Sequence, residues 1–203
     1  MPVKDVFLDL VSYSTGSDET TGTTPSTPGQ KVLGAHIVEP MKSIGIEDAH
    51  MDELGYVYGT IPATDARKNT VGFIAHMDTY GGVCGENIRP QVIENYQGGT
   101  IALGTSGLSL SPAEYPALKE QVGKTLITTD GTTLLGGDDK AGVAEILCAA
   151  AEILKEGKPH GTVKLGFTPD EEIGEGAAHF DVAGFGCDHA YTVDGATLGA
   201  MEY

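Results

Sequence analysis

Four short stretches carry the side chains that could do chemistry: His76-Met77-Asp78, Asp138-Asp139-Lys140, Asp170-Glu171-Glu172 and Asp194. One histidine with several carboxylates is the hard, mixed N/O donor set of a hydrolytic two-metal site. Metal-assisted hydrolysis needs one carboxylate on the metal and another, unbound, to take the proton from the attacking water. Two consecutive glutamates in a loop, Glu171 and Glu172, can point differently and divide those tasks. His76 and Asp78 stand at i and i+2, so in extended backbone they share a side. Asp78 could then hold the imidazole, as metal-binding histidines require. Taken singly, each motif has an ordinary explanation. Acids at a helix N-terminus suit the dipole, Asp-Glu-Glu suits a solvated loop, and Asp194-Gly195 suits a turn. Only their joint placement argues for a site. Phosphate-cradling loops, a G-x-S-x-G elbow and a G-x-G-x-x-G fingerprint are missing from the sequence.

The elements that must position these residues can be read from periodicity. Val3, Val6, Phe7, Leu10 and Val11 predict a first helix with one buried face. Residues 12–27 are rich in Ser, Thr and Gly and read as a loop. Thr27-Pro28-Gly29-Gln30 then predicts a helix start, with Thr27 as cap, Pro28 at the first helical position and Gln30 closing a capping box. Val32, Leu33, Ile37 and Val38 would share its buried side, and Pro40 should kink or end it. Short strands are expected at 48–53 and 56–62, around Leu54-Gly55. Val71–His76 is an uninterrupted apolar run, suited to a strand covered on both faces. Residues 80–135, dense in Gly and Pro, predict small strands and turns. Ala141–Leu154 predicts a long helix, opened by Asp138-Asp139-Lys140 and stopped by Gly157 and Pro159. Val163–Phe167 and Ala190–Val193 are further strands. Strand, helix, strand order predicts α/β architecture, a mixed, largely parallel sheet flanked by helices. The chemical motifs then all fall at the carboxyl ends of strands or the start of the long helix, where open α/β sheets place their ligand crevice.

Composition narrows the partners. The 203 residues are 40% apolar and 20% charged, too apolar and too weakly charged for a disordered chain. Twelve basic against 29 acidic residues leave a net charge of −17, which repels nucleic acid and anionic membranes. No run approaches the ~20 apolar residues of a membrane helix. The stretch MPVKDVFLDLVSYS mixes acids into its apolar residues and does not read as a signal peptide. Cys84, Cys148 and Cys187 are odd in number and unrelated in spacing, which fits a reducing cytoplasm rather than a disulfide framework.

The longer motifs GFIAHMDT (72–79), LITTDGTTLLGGDDKAGVAEI (126–146), FTPDEEIGEGAAHFDV (167–182) and AYTVDG (190–195) resemble, in order and spacing, the di-zinc exopeptidases. That family includes carboxypeptidase G and aminoacylase. NIRPQVIENYQGGTIALG (87–104) is similar to its tripeptide aminopeptidases in particular. The resemblance runs from the first helix to residue 203. It implies a zinc-exopeptidase-like catalytic domain of which residues 1–203 form the N-terminal portion. It implies two zinc ions and a role for each motif residue. His76 would bind the first zinc and Asp78 orient it. Asp138 would bridge both ions, Asp194 complete the first site, Glu172 bind the second ion and Glu171 serve as catalytic base. Between Asp138 and the following Asp139 the family usually has a cis peptide. A small peptide would be the substrate, and a homodimer is possible in the complete enzyme.

One departure qualifies this. In the family a lid and dimerisation domain follows a motif like AYTVDG, and a later histidine completes the second zinc site. No other histidine here stands in a matching motif; His160, His179 and His189 read as structural or exposed. The sequence therefore looks like the first part of a catalytic domain, with the C-terminal part and lid missing. Three activities remain open: a tripeptide aminopeptidase, a metal-binding half-domain without catalysis, and a sibling aminoacylase or carboxypeptidase.

Overall fold

The computed structural model describes residues 2–66, 69–195 and 200–201. In chain order the elements begin with helices α1 (Val3–Leu10) and α2 (Pro28–Ser43), followed by strands β1 (His50–Met51), β2 (Val57–Ile61) and β3 (Thr70–His76). Next come β4 (Pro90–Ile93), β5 (Ile101–Ala102), β6 (Ser109–Leu110), a 3₁₀ turn at Pro116–Gln121 and β7 (Leu126–Thr129). The chain ends with α3 (Gly137–Glu156), β8 (Thr162–Thr168), a 3₁₀ turn at Glu171–Ile173, α4 (Val182–Phe185) and β9 (His189–Thr192). These elements form two compact units. One comprises residues 1–81 and 136–203, the other residues 82–135.

The first unit is built on a five-stranded sheet in the order β1-β2-β8-β3-β9. The pairings β1–β2 and β2–β8 are antiparallel; β3–β8 and β3–β9 are parallel. The expected α/β class with a mixed sheet flanked by helices is what the chain adopts. Helix α3 packs on β3 and α1, while α2 packs on β1 and β2. Alternation explains the second contact: Val57, Gly59 and Ile61 are the buried positions of β2. Helix and strand residues such as Leu10, Leu33, Ile37, Leu147, Leu165 and Phe167 are almost wholly buried. The second unit has its own small core of Tyr96, Ile101 and Leu103, with Ile93, Leu110, Leu118 and Leu126 packed around it. Its strands form two antiparallel pairs, β4–β7 and β5–β6.

Parallel register decides where the chemistry goes. His76 is opposite Thr168, and Ile74 is opposite both Gly166 and Thr192. Strands β3, β8 and β9 therefore end side by side. The segments that follow carry Asp78, Asp170 to Glu172, and Asp194.

Helix α2 departs from expectation in three ways. It starts where Thr27 and Pro28 predict, but no side-chain cap forms. The Thr27 hydroxyl donates instead to the Gly16 carbonyl (2.8 Å), and Gln30 turns to Asp170. Val32 is 58% exposed, and the buried stripe runs through Leu33, Ile37, Val38 and Met41. Positions 33, 37 and 41 repeat at four-residue spacing, so Val32 falls off the stripe. Pro40 does not end the helix, which runs on to Ser43 with Ile44 N–H bonded to the Pro40 carbonyl (3.1 Å). A proline loses only one intrahelical bond, and buried Met41 holds the final turn against the core. The first predicted strand, 48–53, shortens to β1. Helix α4 and the 3₁₀ turn at Glu171–Ile173 were not evident from periodicity, being too short to show one.

Candidate metal centre

His76 closes β3 and is 3% exposed. Its two ring nitrogens face different partners. Nδ1 lies 3.0 Å from the Asp78 carbonyl and 3.2 Å from Asp78 Oδ1. Nε2 faces three carboxylates: Asp138 Oδ1 at 3.0 Å, Asp194 Oδ2 at 3.6 Å and Glu171 Oε2 at 3.7 Å. Among the described residues, one group of potential ligands converges. The donor atoms of His76, Asp138 and Asp194 all lie within 4.8 Å of one another. His160, His179 and His189 are outside that group.

Asp78 has no exposed surface and reaches further than the histidine. Its Oδ1 accepts the Glu171 N–H (2.9 Å) and its Oδ2 the Glu172 N–H (3.0 Å). One buried carboxylate thus ties the end of β3 to the loop that follows β8. Asp138 and Asp139 open α3 with non-helical dihedrals, and the peptide between them is cis. Asp139, 4% exposed, accepts the His76 N–H (3.2 Å) and the Gly142 N–H (3.1 Å).

Charge is crowded here. Burial pushes the Asp139 carboxyl up to about 8, with the neighbouring Asp194 adding to it and His76 opposing. Burial also raises Glu172 and Asp194, each further by the charge of Asp138. For His76, burial works toward a lower value, but the carboxylates of Asp78, Asp139 and Asp194 outweigh it and lift the ring to about 10. In the metal-free chain the imidazolium is therefore the cation that these acids surround. A divalent ion suits the same place: one imidazole nitrogen and two carboxylates, converging from three segments, are donors that zinc, cobalt and manganese all accept.

Two buried residues of this region carry no signal in the sequence. Lys140 is completely buried, and its ammonium donates to the Tyr13 carbonyl (2.6 Å), with burial lowering its pKa to about 8. Asp170, expected in a solvated loop, is 1% exposed. Acidic and basic side chains in loops read as solvated unless the partner that buries them is known.

The approach of α3 to β9 depends on Gly142. A Cβ at this position would collide with the Val193 carbonyl and crowd the Asp139 carboxylate. Gly142→Ala should push the start of α3 away from the end of β9, separating Asp138 from Asp194. Such overpacking costs about 1–3 kcal/mol. The expected result is a lower urea midpoint together with weakened metal binding; an unchanged metal affinity would show that the centre does not need this contact.

Fold and ligand cluster define an α/β chain with a candidate metal centre, and residues 128–199 match the model of Peptidase family M20/M25/M40. The particular relatives are peptidase T sequences. The chain is 51% identical over 204 aligned residues to peptidase T of Halothermothrix orenii, which covers 99% of this chain and 50% of the relative. It is 50% identical to peptidase T of Caldanaerobacter subterraneus, with the same two coverages. The chain is thus similar to peptidase T over nearly its whole length, and it spans about half the length of the curated relatives it matches. The fold agrees: the aminopeptidase PepT of Bacillus cereus superposes with a TM-score of 0.68 at 24% identity, over 96% of this chain and 43% of that one.

Proposed function

We propose that this chain carries the metal-binding core of a di-zinc tripeptide aminopeptidase. The observation that supports this best is the convergence of Asp138, Asp194 and Glu171 on Nε2 of His76, whose other nitrogen is held by Asp78. In this reading His76, Asp138 and Asp194 hold one zinc ion, and Asp138 and Glu172 contribute to a second. The zinc ions supply Lewis-acid polarisation of the scissile carbonyl and ease deprotonation of water. Glu171 is the base: it accepts the proton of the attacking water and can return it to the leaving amine. Asp78 keeps the His76 ring oriented and holds the backbone of both glutamates. Breakdown of small peptides, expected in the cytoplasm from the sequence, is the process such an activity would serve. Among the described residues no helix is long and apolar enough to cross a membrane. The closest rival reading, a metal-binding unit with little turnover, is favoured by one fact. Among the described residues only the His76 group has three converging ligands.

Zinc titration by calorimetry, beside assays with tripeptides and N-acyl amino acids, tests the reading. One tight zinc equivalent and a looser second are expected, with weak release, if any, of the N-terminal residue from tripeptides. Zinc needs the neutral His76 ring, whose pKa is about 10 in the metal-free chain. Binding should therefore release a proton, and apparent affinity should rise with pH up to that value, by as much as ~10-fold per unit. Preference for N-acyl amino acids would assign the chain to the aminoacylase side of the family. Zinc binding indifferent to pH would exclude His76 as a ligand.

A further inference from the structure

We infer that Asp170 is a positioning residue for Glu171 and Glu172, clamped by Ser26 and Gln30 at the start of α2; the inference rests on the reading of Glu171 as the base. Asp170 immediately precedes the two glutamates and has a left-handed backbone (φ 54°, ψ 29°), which turns the chain out of β8. Its buried carboxylate is fully used. Oδ2 accepts the Ser26 N–H (2.7 Å), and Oδ1 accepts both the Ser26 hydroxyl (2.6 Å) and the Gln30 amide (2.6 Å). The other end of the Gln30 amide accepts the N–H of Asp170 itself (3.0 Å). Gln30 therefore grips side chain and backbone of the same residue, and Gln30 is itself completely buried.

The consequence falls on the next two residues. Glu171 and Glu172 leave this clamp and at once donate their N–H groups to Asp78. The turn closes behind them, with Gly174 N–H on the Glu171 carbonyl (2.7 Å) and Glu175 N–H on the Asp170 carbonyl (2.9 Å). The segment is thus pinned at two buried carboxylates, Asp170 from the α2 side and Asp78 from the β3 side. The backbone that carries both glutamates is therefore held on two sides, and from it the Glu171 carboxylate reaches to within 3.7 Å of His76 Nε2. Asp78 alone would hold only the two N–H groups; the clamp on Asp170 sets the turn from which they emerge. Displacing a reacting group by about 1 Å can cost on the order of 10²-fold in rate, so a loose clamp would be felt in catalysis.

The hydrogen-bond directions supply a reciprocal test. Asp170→Asn places an amide against donors, and Gln30→Glu places two carboxylates face to face. In Asp170→Asn/Gln30→Glu the donor and the acceptor exchange ends and the buried charge is kept. Two readouts are taken: turnover by the zinc-loaded chain, and amide hydrogen exchange of the metal-free chain at Glu171 and Glu172. Each single variant should speed exchange at those two amides and lower kcat, both by roughly tenfold or more, with little change in KM. The double variant should recover both. Ser26→Ala, which removes one donor, should give a smaller change in the same direction should either polar swap fail to fold. Unchanged exchange at Glu171 and Glu172 would overturn the inference. So would exchange that rises equally at Leu147 and Leu165, since the role would then be only structural, or a double variant that recovers nothing. A Glu171→Gln chain with wild-type turnover would instead remove the base, leaving the exchange data to judge the clamp by itself.

Discussion

In a complete enzyme, Glu171→Gln is expected to lower tripeptide turnover by ~10² to 10⁴ while leaving bound zinc nearly unchanged, the usual cost of removing a general base. The reasoning is geometric. The Glu171 carboxylate stands 3.7 Å from His76 Nε2, the nitrogen that faces the converging ligands, and its side chain is 52% exposed. It can therefore meet a water at the centre without being one of the three converging donors. Its backbone is held through the N–H bonded to Asp78, so glutamine, of equal size, should leave the turn in place. Only the capacity to take a proton is lost. Zinc content and rate, measured on the same preparation, separate the two roles. If both fall together, Glu171 is a ligand, and the tasks of Glu171 and Glu172 must be exchanged.

Asp78→Ala should have the broadest effect of any single change. The side chain is wholly buried and serves three donors: the His76 ring and the N–H groups of Glu171 and Glu172. Removing one partner of a buried ionic pair typically costs about 3–5 kcal/mol, because the remaining group is left unpaired in a dry place. Losing the residue that orients a metal-binding histidine costs about 10- to 100-fold in metal affinity or activity. The variant is thus expected to lose stability, metal affinity and turnover together, in contrast to Glu171→Gln. Asp78→Asn should be intermediate, since its one carbonyl can accept only part of what two carboxylate oxygens accept. Urea unfolding and competition for zinc against a chelator check the outcome. Wild-type zinc affinity in Asp78→Ala would mean that the contact of His76 Nδ1 with the backbone carbonyl of residue 78 is enough to orient the ring.

The course of the main elements was legible in the sequence because their signals are local. The apolar run of β3, the periodicity of α3 with its Gly157 stop and the turn at Leu54-Gly55 each depend on residues a few positions apart. The order and type of the chemical motifs were legible as well. His76 ends β3, while Glu171 and Asp194 follow β8 and β9, three strands that the parallel register brings level, and Asp138 comes in from the start of α3, which is why motifs 118 positions apart in the chain (76 to 194) meet at one nitrogen. Residues 80–135 were readable only as a region of small strands and turns without bounds, since their strands are two to four residues long.

What only the tertiary structure decided concerns partners distant along the chain. Gln30 reads as half of a capping box, yet its amide serves Asp170, 140 positions away. Asp170 reads as a solvated acid and is buried because Ser26 and Gln30 supply its donors. Lys140 reads only as part of the motif that opens α3, yet it is buried, with the Tyr13 carbonyl meeting its ammonium. Val32 reads as core and faces solvent, because the packing of α2 on β2 selects the stripe through Leu33, Ile37 and Met41. Local sequence determines which backbone conformations and which chemical groups are present. Whether a polar group is buried depends on a partner that only the folded chain brings to it, since burying a charge costs several kcal/mol unless well-placed hydrogen-bond partners offset it.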